Sequence, residues 1–592
     1  MPSKKRRRVV TGLLCSSAGL ALATSWSAYL GLSVRDHLQA TRDALVRLRM
    51  SDPAGSAAAL ANAKRRAEEA RRLTSGLDWS LLTHAPVVGE GATTIRGLAE
   101  TAAELTSALT GAQQAGAGLM TAKGVSMGDM GSLLAGLEAA APALRAASDR
   151  IDRTWSRLAA TPGDTGSDQI DQARAAALDE VERLSGWIGA ADHAAALLPP
   201  MLGGHGTRRY FLAFQTNAEA RGTGGLVGAF GILKAGQGRI SIERLSPNYD
   251  LESGSAQVAD HGTDFSARYG PSAVSLLSNS NLSPHFPYAA ETWTALWRRQ
   301  TGRELDGAIA TDPVGLSYLL KLIGPVKLPT GETVTADNVV FLTEGAAYAR
   351  YADPLDRKRF LITVAVAVSE ALTREHLDFM AALPTLSKLL NERRIQVWSR
   401  RDAEQERLEA TPLGGVLPSE PGPFAGLVIN NSAGTKLDYY LDRSLHYELD
   451  ACRTDGRRVT RARIRLGNDV PRRKLPSYVT DRLDTSKPRP VGSNLVWVSF
   501  YGAVGAKLQA VHIDGKPAPV IQEVERSHPV YSTVLQFAPR QTRTLEFVML
   551  EPTSATPPVV PVQPLARPQQ TRVMENRGPC VPVVRDTEGQ KR

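Results

Sequence analysis

Asn217, Glu219, Arg221, Thr223, Gly224 and Gly225 fall together in the stretch Tyr210 to Phe230, YFLAFQTNAEARGTGGLVGAF. Residues of these types can hold an anion. A guanidinium stays charged at any physiological pH and binds oxyanions through paired N–H groups, and adjacent glycines let a ligand approach main-chain amides. The same residues equally suit a plain hairpin turn in which Glu219 and Arg221 pair with each other or with water. A second charged group, Asp356, Arg357 and Arg359, crowds the expected start of a helix, itself a place that favours anions, with Asp356 as the expected cap. The plain alternative is an exposed helix start whose charges pair within one turn. Asp306 reads as a turn residue, Asp312 before Pro313 as a helix cap and His285 as a loop residue. The sequence contains no zinc-type cluster of Cys and His, no Walker glycine loop, no GxSxG elbow and no HExxH.

The elements that must position these groups are legible from periodicity. Tyr210 to Phe214, Leu226 to Ala235, Arg239 to Leu245 and Gly307 to Ala310 read as strands. Helices are expected at Tyr288 to Thr301, Pro313 to Ile323, Thr335 to Tyr351 and Asp356 to Leu372, so residues 207–400 read as an α/β sheet domain. Before it, residues 33–200 are rich in alanine, leucine, arginine and glutamate at helical spacing, with breaks at Ser51-Asp52-Pro53, Ala85 to Gly89 and Thr161 to Asp164. They predict a helical stalk or bundle, a spacer or alternatively a sensor module. After the proline-rich joint Pro412 to Pro423, short alternating strands over 424–552 predict an immunoglobulin-like β-sandwich, followed by a proline-rich tail over 553–592.

At 592 residues the chain exceeds one core, and its fold class is expected to be multi-domain α+β. The net charge of +10 is partly local: Lys4, Lys5, Arg6, Arg7 and Arg8 crowd the N-terminal tail, residues 1–8. Val9 to Leu32 carries no charge and is long enough to cross a hydrocarbon core as a helix. With the basic cluster before it, it predicts an anchor with a cytoplasmic N-terminus and the bulk of the chain outside. A cleaved signal peptide ending at Ala21-Leu22-Ala23 is the competing reading. Cys15 falls inside this segment, leaving Cys452 and Cys580 as a pair in an oxidising compartment, where a bridge between them is expected. Basic charge favours anionic lipid or wall polymer without naming either, and no nucleic acid is expected as a partner.

The pattern N-x-A-E-x-R-x-T-G-G, present as Asn217, Ala218, Glu219, Arg221, Thr223, Gly224 and Gly225, resembles the signature of a bacterial surface family classed as domain of unknown function 4012. Three further stretches stand in the expected order: NLSPHFPYAAETWTALWRRQTG from Asn281, ELDGAIATDPVGLSYLLKLIGPVKLPTG from Glu304, and GLVINNSAGTKLDYYLDRSLHYEL from Gly426. The likeness thus covers roughly residues 80 to 590. It implies a membrane-anchored, exported protein and brings no established activity. From Tyr210 to about Ala371 the order of features is also similar to the LytR-CpsA-Psr phosphotransferases, which move a glycopolymer from a polyprenyl diphosphate lipid to the cell wall. That resemblance implies that Tyr348 to Phe360, YARYADPLDRKRF, is the arginine-bearing segment, with Arg350, Asp356, Arg357 and Arg359 as matching positions. It further implies Arg221 as a second anion ligand, Asp250 as the acidic residue after the second long strand, and magnesium as cofactor. The Asp-x-x-Arg-x-x-Arg-Gln spacing of that family is compressed here to Asp356-Arg357-Lys358-Arg359-Phe360.

Three functions are therefore expected in turn. The first is a single-pass envelope protein binding an anionic envelope or polysaccharide component. The second is a glycopolymer phosphotransferase using a lipid-linked saccharide. The third is a structural, protein-binding component of envelope assembly.

Overall fold

The computed structural model describes residues 31–43, 53–120, 126, 128–251, 254, 256–377, 379–484, 489–576, 578 and 580–581. Apart from Gly31 and Leu32, the expected anchor lies outside the described residues, as do Cys15 and the basic tail. Among the described residues no helix is long and apolar enough to cross a membrane. The architecture is multi-domain α+β, divided into two compact units: residues 1–123 with 132–199, and residues 124–131 with 200–592.

The first unit is helical. Helix α1 takes in the described residues 31–43, and α2 covers Pro53–Thr74, α3 Leu77–Leu82, α4 Gly89–Met120, α5 Gly131–Ala159 and α6 Asp168–Met201. Pro53 opens α2, Gly89 opens α4 and the Thr161 to Asp164 turn separates α5 from α6, all at expected breaks, whereas the break between Met120 and Gly131 has no counterpart among them. Small residues let the helices approach closely. Val34 of α1, Ala70 of α2, Trp79 of α3 and Ala92 and Ala99 of α4 share one buried cluster. Farther along α4, Leu105 and Ala108 pack with Ala147 and Ile151 of α5 and Val181 of α6.

The second unit opens with a five-stranded sheet in the order β3-β2-β1-β4-β7. Its strands are β1 Arg208–Arg221, β2 Gly224–Gly236, β3 Arg239–Pro247, β4 Gly307–Thr311 and, after the two-residue pair β5 Val326–Lys327 and β6 Thr333–Val334, β7 Ile395–Ser399. Only β1 and β4 run parallel. Helix α7 (Thr263–Tyr269) precedes α8 (Phe286–Thr301), whose Trp293 and Trp297 pack on Phe211 and Phe230 of the sheet. Helix α9 (Pro313–Ile323) follows β4. Next come α10 (Val339–Phe341) and α11 (Ala347–Arg350), separated by a π-helical turn, Leu342–Ala346, and then α12 (Pro354–Arg374), α13 (Phe379–Asn391) and α14 (Asp402–Glu409). The cap of α12 is Asp353, not Asp356. Asp353 accepts from the Leu355 amide at 2.8 Å, because Pro354 takes the first helical position, where its missing N–H costs nothing.

Beyond the joint, two sheets face each other across a core that includes Tyr447, Phe500, Phe537 and Phe547. One contains β8 (Ala425–Asn431), β11 (Asn494–Gly502), β14 (Ile521–Glu525) and β15 (His528–Phe537), in the order β14-β15-β11-β8. The other contains β9 (Leu441–Leu449), β10 (Arg457–Asn468), β12 (Lys507–Ile513), β13 (Lys516–Pro517), β16 (Thr542–Pro552) and β17 (Gln569–Glu575), in the order β13-β12-β16-β10-β9-β17, while α15 (Ser477–Thr480) lies in the β10–β11 connection.

The segment read as a tail behaves otherwise in its described part. Residues 559–567 form a strap along β8, and β17 adds in parallel to the open edge of β9. Prolines prevent the strap from forming a regular strand, so Gln563 substitutes for a neighbouring strand. Its side chain accepts from the Ile429 amide at 2.9 Å and donates to the Ile429 carbonyl at 2.8 Å. The Cys452–Cys580 disulfide, with Cα atoms 4.5 Å apart, fastens the end of this segment beside β10.

Candidate functional site

Strand β1 does not stop where its apolar run ends. It continues through the polar motif to Arg221, and Gly222 and Thr223 alone reverse the chain into β2. Glycine is required at this tip on packing grounds. A Cβ on Gly222 would lie 2.2 Å from the Leu282 carbonyl oxygen, one on Gly225 would lie 2.2 Å from the Thr216 carbonyl oxygen, and Gly224 has φ +143°. The glycines bring protein, rather than ligand, against the backbone.

Each polar side chain of the motif is buried and bonded to protein, with only the Asn217 Oδ1 among the described atoms of these side chains left without a partner. Arg221 donates to Glu219 at 2.9 Å, to the Ser278 carbonyl at 3.1 Å and to the Ala220 carbonyl at 2.9 Å. Glu219 also accepts from Lys436. Burial works to raise the Glu219 pKa, but Arg221 and Lys436 outweigh it and hold the carboxyl below its ordinary range. Asn217 donates to Asp312 at 3.2 Å and to the Pro564 carbonyl of the strap at 2.9 Å. Thr223 donates to Gln215 at 3.2 Å and accepts from Asn281 at 2.9 Å, while Gln563 donates to the Arg221 carbonyl at 2.6 Å.

Two buried carboxyls complete the assembly by receiving β1 amides. Glu344, on the π-helical turn, accepts from the amides of Asn217 at 3.2 Å and Ala218 at 2.7 Å. Its pKa is pushed up to about 8 by burial, with Asp312 adding to the rise and the two amides opposing it. Asp438 accepts from the Ala220 amide at 2.9 Å and from Asn431 and Asn494, each at 2.7 Å, and burial raises its pKa against those bonds. Asp312 caps α9 through the Gly315 amide at 2.7 Å and pairs with Arg394 at 2.8 Å. The signature is therefore a polar weld joining the five-stranded sheet, the sandwich and the C-terminal strap.

The second charged group has a different character. Arg350 pairs with Glu332 at 2.8 Å and Arg359 with Asp356 at 3.0 Å, both on the surface, and Asp250 lies 3.7 Å from Arg244. Arg357 turns inward and is 3% exposed. Its guanidinium lies 3.8 Å from the Tyr478 ring centroid and 5.1 Å from that of Tyr348, donates to the Tyr351 carbonyl at 3.3 Å, and leaves its second terminal nitrogen without a hydrogen-bond partner. Beside it, Lys358 bonds Asn248 and lies 4.3 Å over the Tyr249 ring. Tyr478 and Tyr249 are both exposed.

The structure thus brings Glu219 to Arg221 and Asp356 to Arg359, and leaves Arg221, Arg350 and Arg359 each with its own acid. Arg357 connects to the motif indirectly, through Tyr478 to Lys436, whose ammonium lies 5.3 Å from the same ring, and through Tyr348, which packs in one cluster with Ala218. Lys436 and Asp438 sit inside the stretch from Gly426 that supports the family likeness. Glu344, Gln563 and Tyr478 carried no comparable signal, because single polar residues in ordinary surroundings reveal their burial only once the chain is folded. Among the described residues no group of three or more His, Cys, Asp or Glu is placed to hold a metal ion.

Residues 205–348 match the family model described as Protein of unknown function (DUF4012). No curated protein and no solved structure matches the chain.

Proposed function

We propose that this chain, which carries a domain of the unknown-function 4012 family over residues 205–348, is a single-pass extracytoplasmic envelope protein that binds an anionic envelope component, a wall glycopolymer or lipid-linked saccharide, at the head of α12. One observation carries the reading: Arg357 is buried without a carboxylate partner among the described residues, has an unbonded guanidinium nitrogen, and lies against the exposed ring of Tyr478. A desolvated guanidinium without counter-charge is costly unless an anion completes it, and exposed tyrosine faces suit sugar rings. The uncharged Val9 to Leu32 segment and the disulfide support export and anchoring. The pairing of Arg221 favours a second reading, in which the motif is structural and the molecule serves envelope assembly through protein partners. The phosphotransferase reading would need magnesium held near Asp356 or Asp250, whose nearest cations are Arg359 and Arg244.

The test is titration of the full chain in detergent with a polyglycerol phosphate and with a polyprenyl diphosphate, with and without magnesium. Arg357→Ala is expected to weaken binding by on the order of tenfold at unchanged Tm. Arg221→Ala is expected instead to lower stability by about 3–5 kcal/mol, since it leaves buried Glu219 short of a partner. Equal binding by Arg357→Ala, or none by the folded wild type, would leave the structural reading in place.

A further inference from the structure

The first unit exposes a concentrated apolar surface at one end. Leu77 is 85% exposed, Leu81 75%, Val87 87% and Val88 51%, all within the connection from α2 to α4. Leu77 and Leu81 are one helical turn apart and share a face of α3, while Trp79 points the other way, is buried, and donates its indole N–H to the Ala92 carbonyl at 2.9 Å. The helix is therefore fastened by its inner side with its leucines outward. Asp78 and His84 are the only residues with ionisable side chains between Leu77 and Val88. Single exposed apolar residues need no explanation, but four in one short connection mark a contact surface.

The bundle fixes which end this is. Val34 of α1 packs in one cluster with Ala70 near the end of α2, with Trp79 and with Ala92 near the start of α4. The apolar turn thus lies at the end of the unit that holds Val34, two residues after the uncharged Val9 to Leu32 segment in sequence, and Leu32 itself is 58% exposed.

We propose that the α2–α4 turn is a second membrane contact, in which Leu77, Leu81, Val87 and Val88 enter the interface of the bilayer that the N-terminal segment crosses. The inference rests on the anchored reading above. Its occupant is the lipid surface, because an anchor that ends two residues before Val34 in sequence holds this end of the bundle against the bilayer, where exposed leucine and valine gain by leaving water.

The test uses the full chain with Cys15→Ser, reconstituted in phosphatidylethanolamine–phosphatidylglycerol vesicles, with a fluorophore attached at Leu81→Cys or at Ala139→Cys. Ala139 is an exposed α5 residue beside Ala140, which packs near Ala112 and Ala115, roughly 30 Å along α4 from Ala92. Nitroxide-bearing lipid is expected to quench the label at 81 several-fold more than the label at 139, and Val87→Ser with Val88→Ser to reduce that quenching while the protein still floats with the vesicles. Equal quenching at both positions in a chain that floats would overturn the proposal and leave the anchor standing. Protein-concentration-dependent quenching without lipid quenching would overturn it in favour of a second copy of the chain. Failure to float would overturn the anchor, and the lipid contact with it.

Discussion

Glu344 holds a proton where an ordinary carboxylate would not. Burial pushes its pKa from 4.5 up to about 8, and Glu551, which accepts from Tyr447 at 2.6 Å, is raised by burial to about 7. An acid whose folded pKa exceeds its unfolded value binds more protons in the folded state, so its contribution to stability falls as pH rises from about 4.5 through the folded pKa. His261, pulled down from 6.5 to about 4 by burial, has the opposite sign but is largely spent above 6.5. Between pH 6.5 and 8 the carboxyl effect is therefore expected to dominate among these groups, at up to roughly 1.4 kcal/mol per pH unit and group. Thermal unfolding over that interval should show Tm falling with pH in the wild type and a flatter profile in Glu344→Gln, even though an amide facing two backbone N–H groups lowers Tm at every pH. Parallel profiles would show that Glu344 is already charged in the folded state.

Strand β17 is an element that the sheet alone holds weakly. Most of its residues are exposed, and only one of its edges is paired, in parallel to β9. Its fastenings include the Arg458–Glu575 pair at 2.9 Å, the Asn576 amide on the Leu449 carbonyl at 2.9 Å, the Val581 amide on the Cys452 carbonyl at 2.7 Å and the disulfide. The bridge joins residues 128 apart in sequence, so its loss frees a long loop in the unfolded chain. Replacing Cys452→Ser with Cys580→Ser is expected to cost about 2–4 kcal/mol. Hydrogen exchange should then show protection lost in 569–575 while β9 and β10 keep theirs. Unchanged protection in β17 would mean that backbone pairing suffices. The strap is different in kind. Gln563 occupies the free edge of β8, which would otherwise offer unpaired amides to another chain.

At the scale of the molecule, the five-stranded sheet and the sandwich are joined within the second unit by two buried polar assemblies, besides the stacking of Arg357 on Tyr478. One joint is the motif hairpin with Glu344, Asp438 and the strap. The other is Arg268, which bonds Glu523, Ser532 at 2.9 Å and Ser499 at 2.6 Å while lying 4.6 Å from the Trp497 ring centroid, next to Tyr269, which donates to Glu525 at 2.8 Å. Buried polar bonds of this number couple the two parts, because opening either joint leaves charges unpaired in both. Both parts are therefore expected to unfold in one transition. In denaturant, amides of β1 and β11 should lose protection with the same free energy of opening, whereas earlier opening of β1 would show that the joints are weaker than the cores they connect.

Patterns within short windows were determined by the sequence itself: the helical first unit and most of its breaks, the strands about Tyr210 and Leu226, the cap at Asp312 and the alternation of the sandwich strands. Each rests on local periodicity or on a proline or glycine that restricts the backbone where it stands. Tertiary structure decided which partners the motif residues find in this fold. Arg221 beside Thr223-Gly224-Gly225 suits an anion or an internal acid equally well until Lys436, Asp438, Glu344 and Gln563 arrive from as far as 342 residues away to fill its surroundings. Arg357 and Arg359 are two positions apart on the same helix, yet the turn of that helix sends one against Tyr478 and leaves the other in water. Burial depends on what the rest of the chain places over a residue, and that is set by contacts between residues far apart in sequence.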